Sequence, residues 1–142
     1  MILLTKALVL MAALALAAPA HADTSILAGA WSKHMLSDND YNETHNLLAI
    51  EHKNLFAGYF LNSYSEDTFA AAYKWSSTYG PVEVGMYIGG MYGYRDCVKG
   101  YADRSRRVCP MVAPFATVDI GVVSPQIYLL GEALAIGVRI NL

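Results

Sequence analysis

The chain has 142 residues, of which 55% are hydrophobic and 15% are charged, and its formal net charge is −2. This small negative charge gives no electrostatic reason to expect nucleic acid as a partner. The composition is nevertheless too apolar for an ordinary exported domain of this length, and it is rich in tyrosine and glycine. Apolar side chains turned outward on alternate residues of a strand would reconcile these facts.

The amino-terminal segment, residues 1–22, has the features of a cleavable signal peptide. Lys6 supplies the positive start, an apolar stretch follows from Ala7 to Ala18, and residues 20–22 match the small-x-small cleavage pattern. We therefore expect residues 23–142 to form one exported domain. Beyond the signal, charged residues interrupt every apolar run before it reaches the roughly 20 residues that a spanning helix requires.

Alternation of apolar with small or polar residues is the main structural signal in the remaining chain. It is clearest in residues 134–142, where every second residue is large and apolar to the final position. Similar patterns predict eight strands of about seven to eleven residues, the length of tilted strands that cross a bilayer. The predicted ranges are 26–35, 45–52, 55–63, 68–76, 82–93, 111–121, 125–130 and 133–142. The prediction is an all-β, eight-stranded antiparallel transmembrane β-barrel in the bacterial outer membrane, because closed single-chain barrels have even strand numbers.

The same alternation predicts which way side chains point. Glu83 and Arg139 fall on the inward parity of their strands, where a charge is tolerated, and apolar neighbours such as Val84 and Ile136 fall on the outward parity. Aromatic residues near the predicted strand ends suit the lipid headgroup level. They are Trp31, Tyr64, Trp75, Tyr79, Tyr92 and Tyr94.

Two cysteines, Cys97 and Cys109, enclose a polar segment. An even number of cysteines in an exported chain favours a disulfide between them. A zinc site would need a second Cys or His pair at ligand spacing, so we expect no metal and no cofactor.

Three histidines follow the signal: His34, His45 and His52. A lone histidine near a strand end is more often a hydrogen-bonded structural residue than a catalyst. Soluble-enzyme signatures such as HExxH, GxSxG and the phosphate loop are absent from the sequence.

Three short motifs, in order along the chain, resemble those of PagP-type lipid A palmitoyltransferases. They are the run 41–43 (Tyr-Asn-Glu), the run 62–64 (Asn-Ser-Tyr) at a strand end, and the Pro-x-x-x-Pro-x-Ala-Thr-Val stretch that begins at Pro110. The resemblance implies a small outer-membrane barrel that moves a palmitoyl chain from an outer-leaflet phospholipid to lipid A. It also implies a His, Asp and Ser set near the outer rim and an interior pocket that measures the chain.

Carried over by position, Ser63 matches the family serine, and Asn62 stands where the family has aspartate. The family histidine directly follows a tryptophan, whereas here Ser32 follows Trp31 and the nearest imidazole is His34. The predicted catalytic residues are therefore His34, Asn62 and Ser63, with Asn62 orienting the histidine ring. A neutral amide can orient the ring but cannot offset the imidazolium charge.

The segment between the cysteines carries a cluster of cations, from which Arg104, Arg106 and Arg107 are predicted to bind lipid phosphate. The expected partners are phospholipid and lipopolysaccharide, and we expect a monomer. Two alternatives remain open at this stage: a non-catalytic surface barrel that masks or binds a cell-surface component, and an exported soluble barrel that carries an apolar ligand.

Overall fold

The computed structural model describes residues 23–35, 41–94, 108–131 and 133–142. These residues form eight β-strands. The predicted signal peptide, residues 1–22, lies outside the described residues. The strands are β1 Thr24–His34, β2 Thr44–His52, β3 Leu55–Leu61, β4 Asp67–Tyr79, β5 Val82–Tyr92, β6 Val108–Val118, β7 Val123–Leu130 and β8 Ala133–Asn141.

Each strand pairs antiparallel with its neighbours in the chain, and β8 returns to pair with β1, which closes the barrel. The closing seam runs from Ser25 opposite Asn141 to His34 opposite Ala133. The predicted all-β, eight-stranded antiparallel barrel is thus confirmed. In the part of the chain that the structure describes, no helix is long and apolar enough to cross a membrane.

Several strands end at other residues than predicted, either because a side chain organises a turn or because the strand pairing continues. β3 ends at Leu61 rather than at residue 63, because the Asn62 side chain accepts two backbone N–H groups of the following turn. β4 continues to Tyr79 rather than ending at residue 76, because residues 77–79, predicted as part of a connection, pair with residues 82–84. β6 ends at Val118 rather than at residue 121, since Asp119 and Gly121 form the turn into β7.

The barrel has an apolar exterior and a charged interior. Outward residues include Val84 (39% exposed) and Ile136 (53% exposed), whereas Glu51 and Arg139 inside the barrel are only 2% and 7% exposed. The predicted inward parity of Glu83 and Arg139 is confirmed, since both side chains meet in the interior. A water-soluble domain has the opposite arrangement, with its charges on the surface and its large apolar residues inside.

Four charged side chains form one network in the half of the barrel that holds the termini. Glu51 accepts hydrogen bonds from Lys74 Nζ at 2.6 Å and from Arg139 Nη2 at 2.8 Å. Glu83 completes the set with ion pairs to the same two cations, at 3.0 Å from Lys74 and 2.5 Å from Arg139. The Tyr87 hydroxyl donates to the second oxygen of Glu51 at 2.8 Å. The two acidic and two basic groups balance, which is the condition for burying such charges.

We predict that Glu51→Ala lowers the free energy of unfolding by about 3–5 kcal/mol, because the two buried cations, Lys74 and Arg139, are then left with one carboxylate, Glu83, between them. Urea unfolding of the refolded barrel in detergent measures the loss. The matched control is Glu43→Ala, since Glu43 is exposed. Equal stability of the two variants would contradict the role assigned to the network.

Candidate functional site

A β-bulge in β1 determines which of the following side chains face the interior of the barrel. Ala28 lies opposite Val138, but Trp31 lies opposite Ile136, so β1 has one residue more than β8 in this interval. The extra residue is accommodated at Gly29 and Ala30, whose φ angles are +91° and +65°. Inward residues are odd-numbered before the bulge and even-numbered after it, which turns Trp31 outward and Ser32 and His34 inward.

His34 and Ser63 meet at the end of the barrel opposite the termini, hereafter the rim. His34 Nε2 lies 3.0 Å from Ser63 Oγ, within hydrogen-bond reach. Both side chains are half-buried. A hydroxyl at this distance from an imidazole nitrogen satisfies the minimum geometry for a nucleophile and its base.

The run 41–43, which the sequence singled out, holds this pair in place. The Tyr41 ring lies over the His34 ring with their centroids 4.4 Å apart. Asn42 joins the two turns of the rim: its backbone N–H donates to Ser63 O at 2.9 Å, and its side-chain nitrogen donates to Asn62 O at 3.2 Å. Asn42 is therefore a positioning residue, which the sequence indicated only as part of a motif.

The expected role of Asn62 in orienting His34 is wrong. The Asn62 Oδ1 atom accepts backbone N–H groups from Tyr64 at 2.8 Å and Glu66 at 3.1 Å, and Nδ2 donates to Gly93 O at 3.4 Å. Its side chain is fully buried in the β3–β4 turn. His34 Nδ1, the atom that a third catalytic group would contact, is buried with no hydrogen-bond partner among the described residues.

An apolar pocket of about 90 Å³ opens beneath the rim, inside the barrel. Ser63 lines it, together with Phe60, Met111 and Ala113. Tyr87 also lines the pocket and donates its hydroxyl to Glu51, so the pocket ends where the charged network begins. Tyr94, predicted at the headgroup level, instead faces this pocket.

Of the eight seams of the barrel, the one between β6 and β7 has the fewest paired residues among those described. These strands pair at only three positions within the described residues, Phe115–Tyr128 to Thr117–Gln126, whereas β5 and β6 pair along the whole of β5. Pro110 and Pro114 fall on one parity of β6 and have no N–H to donate. Because the pairing of β6 with β5 is continuous, these missing donors face β7. Within the described residues, β6 and β7 do not pair on the rim side of Phe115.

A second Ser–His contact lies in the same pocket and was not predicted. Ser32 Oγ is 2.5 Å from His45 Nε2, and His45 Nδ1 is 2.6 Å from Leu61 O. The period of two in β1 and β2 could have indicated an inward His45, but the sequence contains no signal for its partner across the sheet. His52 lies at the opposite end of the barrel, where Nδ1 contacts Thr24 Oγ1.

Several predicted site residues lie outside the described residues. They are Arg104, Arg106 and Arg107, predicted to bind lipid phosphate, and Cys97, predicted to pair with Cys109. Cys109 itself is buried in β6. Phosphate binding and the Cys97–Cys109 disulfide therefore stay predictions.

Comparison with known proteins adds no family assignment. No protein-family model matches the chain. A search of curated proteins also found no match.

We predict that Asn62→Ala lowers the free energy of unfolding by about 2 kcal/mol, because two backbone N–H groups of the turn and the carbonyl of Gly93 lose their partner. Asn54→Ala is the matched control, since the exposed Asn54 side chain contributes one hydrogen bond, 3.3 Å from Tyr73 Oη. Chemical unfolding of both variants measures the difference. An Asn62→Ala barrel as stable as the Asn54→Ala barrel would show that this amide does not organise the turn.

Proposed function

We propose that this chain is an outer-membrane barrel that engages outer-leaflet lipid and transfers an acyl chain from a phospholipid to lipid A. The observation that carries the proposal is the contact between His34 and Ser63 at the mouth of an apolar interior pocket. The resemblance to PagP-type palmitoyltransferases points to these two residues, which lie 29 positions apart in the chain, one at the end of β1 and the other in the turn after β3.

The exterior of the barrel supports lipid as its surroundings. Large apolar side chains project outward from neighbouring strands, among them Leu48, Ile50, Ile88, Val112 and Ile127. Exposed aromatic rings lie toward both ends, with Trp31 and Tyr92 near the rim and Trp75 and Tyr79 near the opposite end. Such a band between two aromatic girdles is typical of transmembrane barrels. The long connections, 35–43 and 93–107, then fall on the outer side, together with the rim.

The chemistry proposed for the rim is nucleophilic acyl transfer. His34 Nε2 takes the proton of Ser63 as Oγ attacks the ester carbonyl, the carbon–alkoxy bond breaks, and the proton passes to the departing lysophospholipid oxygen. A lipid A hydroxyl then attacks the acyl-serine, again with His34 as base, and Ser63 recovers its proton. The apolar pocket beneath Ser63 receives the part of the acyl chain next to the ester, and the unpaired part of the seam between β6 and β7 offers the chain a lateral route.

A non-catalytic barrel that masks a surface component is the second candidate. The observation that favours it concerns Asn62, which stands where the palmitoyltransferases have an aspartate beside the catalytic histidine. Asn62 is engaged in the turn, and His34 Nδ1 has no hydrogen-bond partner, so no carboxylate among the described residues is placed to stabilise an imidazolium there. In a serine triad, loss of that carboxylate lowers the rate by about 10⁴-fold.

We predict that Ser63→Ala and His34→Gln each reduce acylation of lipid A at least about 100-fold, because nucleophile and base act as one unit. Mass spectrometry of lipid A from cells expressing each variant measures the added acyl chain. Ser65→Ala, an exposed position in the same turn, is the matched control and should retain activity.

The same experiment separates the two candidates. An added acyl chain that depends on Ser63 supports transfer. If wild-type protein in the outer membrane adds no acyl chain to a lipid A able to accept one, the transferase proposal fails. A masking activity that survives Ser63→Ala then supports the alternative.

We predict that Ala113→Leu shifts the transferred acyl chain to a shorter length. Ala113 pairs with Tyr87 across β5 and β6 and lines the pocket near its closed end. A larger side chain there removes depth from the pocket while leaving the rim intact. Ala116→Leu, on the outward parity of the same strand, is the control. Lipid A mass spectra from cells supplied with mixed fatty acids report the chain length, and an unchanged distribution would contradict a measuring role.

A further inference from the structure

The interior contact between Ser32 and His45 has the arrangement of an oriented nucleophile and base. A backbone carbonyl can only accept a hydrogen bond, so the 2.6 Å contact with Leu61 O places the proton of His45 on Nδ1. His45 Nε2 then carries the lone pair and accepts the hydroxyl of Ser32 at 2.5 Å. This is the tautomer that a general base requires, held by a third group, as in serine triads.

The surroundings of this pair differ from those of the rim pair. Ser32 and His45 are each 8% exposed, and both line the apolar pocket. The bulge at Gly29 and Ala30 is what turns Ser32 into the interior. His45 has both ring nitrogens engaged, whereas His34 has a partner only at Nε2. Of the two histidines, His45 is therefore the better oriented.

We propose that Ser32, with His45 as its base, is a second acyl-accepting nucleophile of this pocket, for esters of long-chain fatty acids. Leu61 acts as a positioning residue through its carbonyl oxygen. The substrate class rests on the proposed function, because it comes from the apolar pocket and its lipid surroundings. The identity of the reactive serine rests on the geometry alone.

The step balances without any further reactant. Ser32 Oγ bonds to the ester carbonyl carbon as His45 Nε2 takes its proton, the carbon–alkoxy bond breaks, and the alcohol leaves with that proton. Water or an acceptor hydroxyl then attacks the acyl-serine, transfers its proton to His45, and Ser32 regains a proton as the carbonyl carbon separates from Oγ.

Labelling with hexadecylsulfonyl fluoride tests the proposal on the full mature chain in detergent. The serine oxygen displaces fluoride from sulfur, and the long alkyl chain directs the probe to the apolar pocket. Peptide mass spectrometry of the wild-type protein identifies the modified serine, and gel mobility with and without heating verifies that each sample is a folded barrel. We expect the label on Ser32 and its loss in Ser32→Ala. We expect a labelling rate reduced about 100-fold in His45→Asn.

Ser63→Ala is the matched control, and its Ser32 should still be labelled. Label confined to Ser63 in the wild-type barrel would overturn the second nucleophile while leaving the proposed transferase intact. A folded barrel with no labelled serine would also overturn it. If Ser32 is labelled but lipid A gains no acyl chain, the nucleophile stands and the proposed acceptor fails.

Discussion

The buried carboxylate of Glu51 is the interaction on which the arrangement of the interior depends. It accepts from Lys74, Arg139 and Tyr87, which come from β4, β8 and β5, and so joins strands on several sides of the barrel. Outside, the same strands present apolar side chains, so the usual distribution of polarity is reversed. A closed barrel permits this reversal because every strand has two neighbours and the sheet has no open edge.

The rim is built from segments that are distant in sequence. His34 ends β1, Ser63 follows β3, and Asn42 bonds the backbone of one connection to the turn of the other. The bulge in β1 determines which residues reach the interior, because the side-chain period in a strand is two and one extra residue reverses the parity. Without it, Trp31 would occupy the inward parity that Ser32 now has. A local change in backbone geometry thus decides which polar groups line the pocket.

The fold could be predicted from sequence because its signal is repeated. Each of the eight segments alternates apolar with small or polar residues and so indicates one apolar face. Inward positions such as Arg139 follow from whether the residue number is odd or even within the strand. The site could be predicted only in part. The family resemblance points to His34 and Ser63, and the structure places their side chains 3.0 Å apart. The resemblance also puts Asn62 at the family's aspartate position, but the Asn62 side chain bonds to the backbone of Tyr64 and Glu66, and residue order does not indicate these bonds. The contact between Ser32 and His45 was missed for a related reason: it depends on the bulge, and the sequence indicated no break in the β1 pattern at Gly29.

The two halves of the interior differ in what they can admit. Toward the rim the barrel encloses an apolar space, and toward the termini it is occupied by paired charges and the Tyr87 hydroxyl. A molecule that enters from the rim or between β6 and β7 thus meets a polar floor before it reaches the far end. The interior is therefore blocked toward the termini, so a molecule that enters the apolar space leaves it again through the rim or between β6 and β7 and does not pass along the whole barrel.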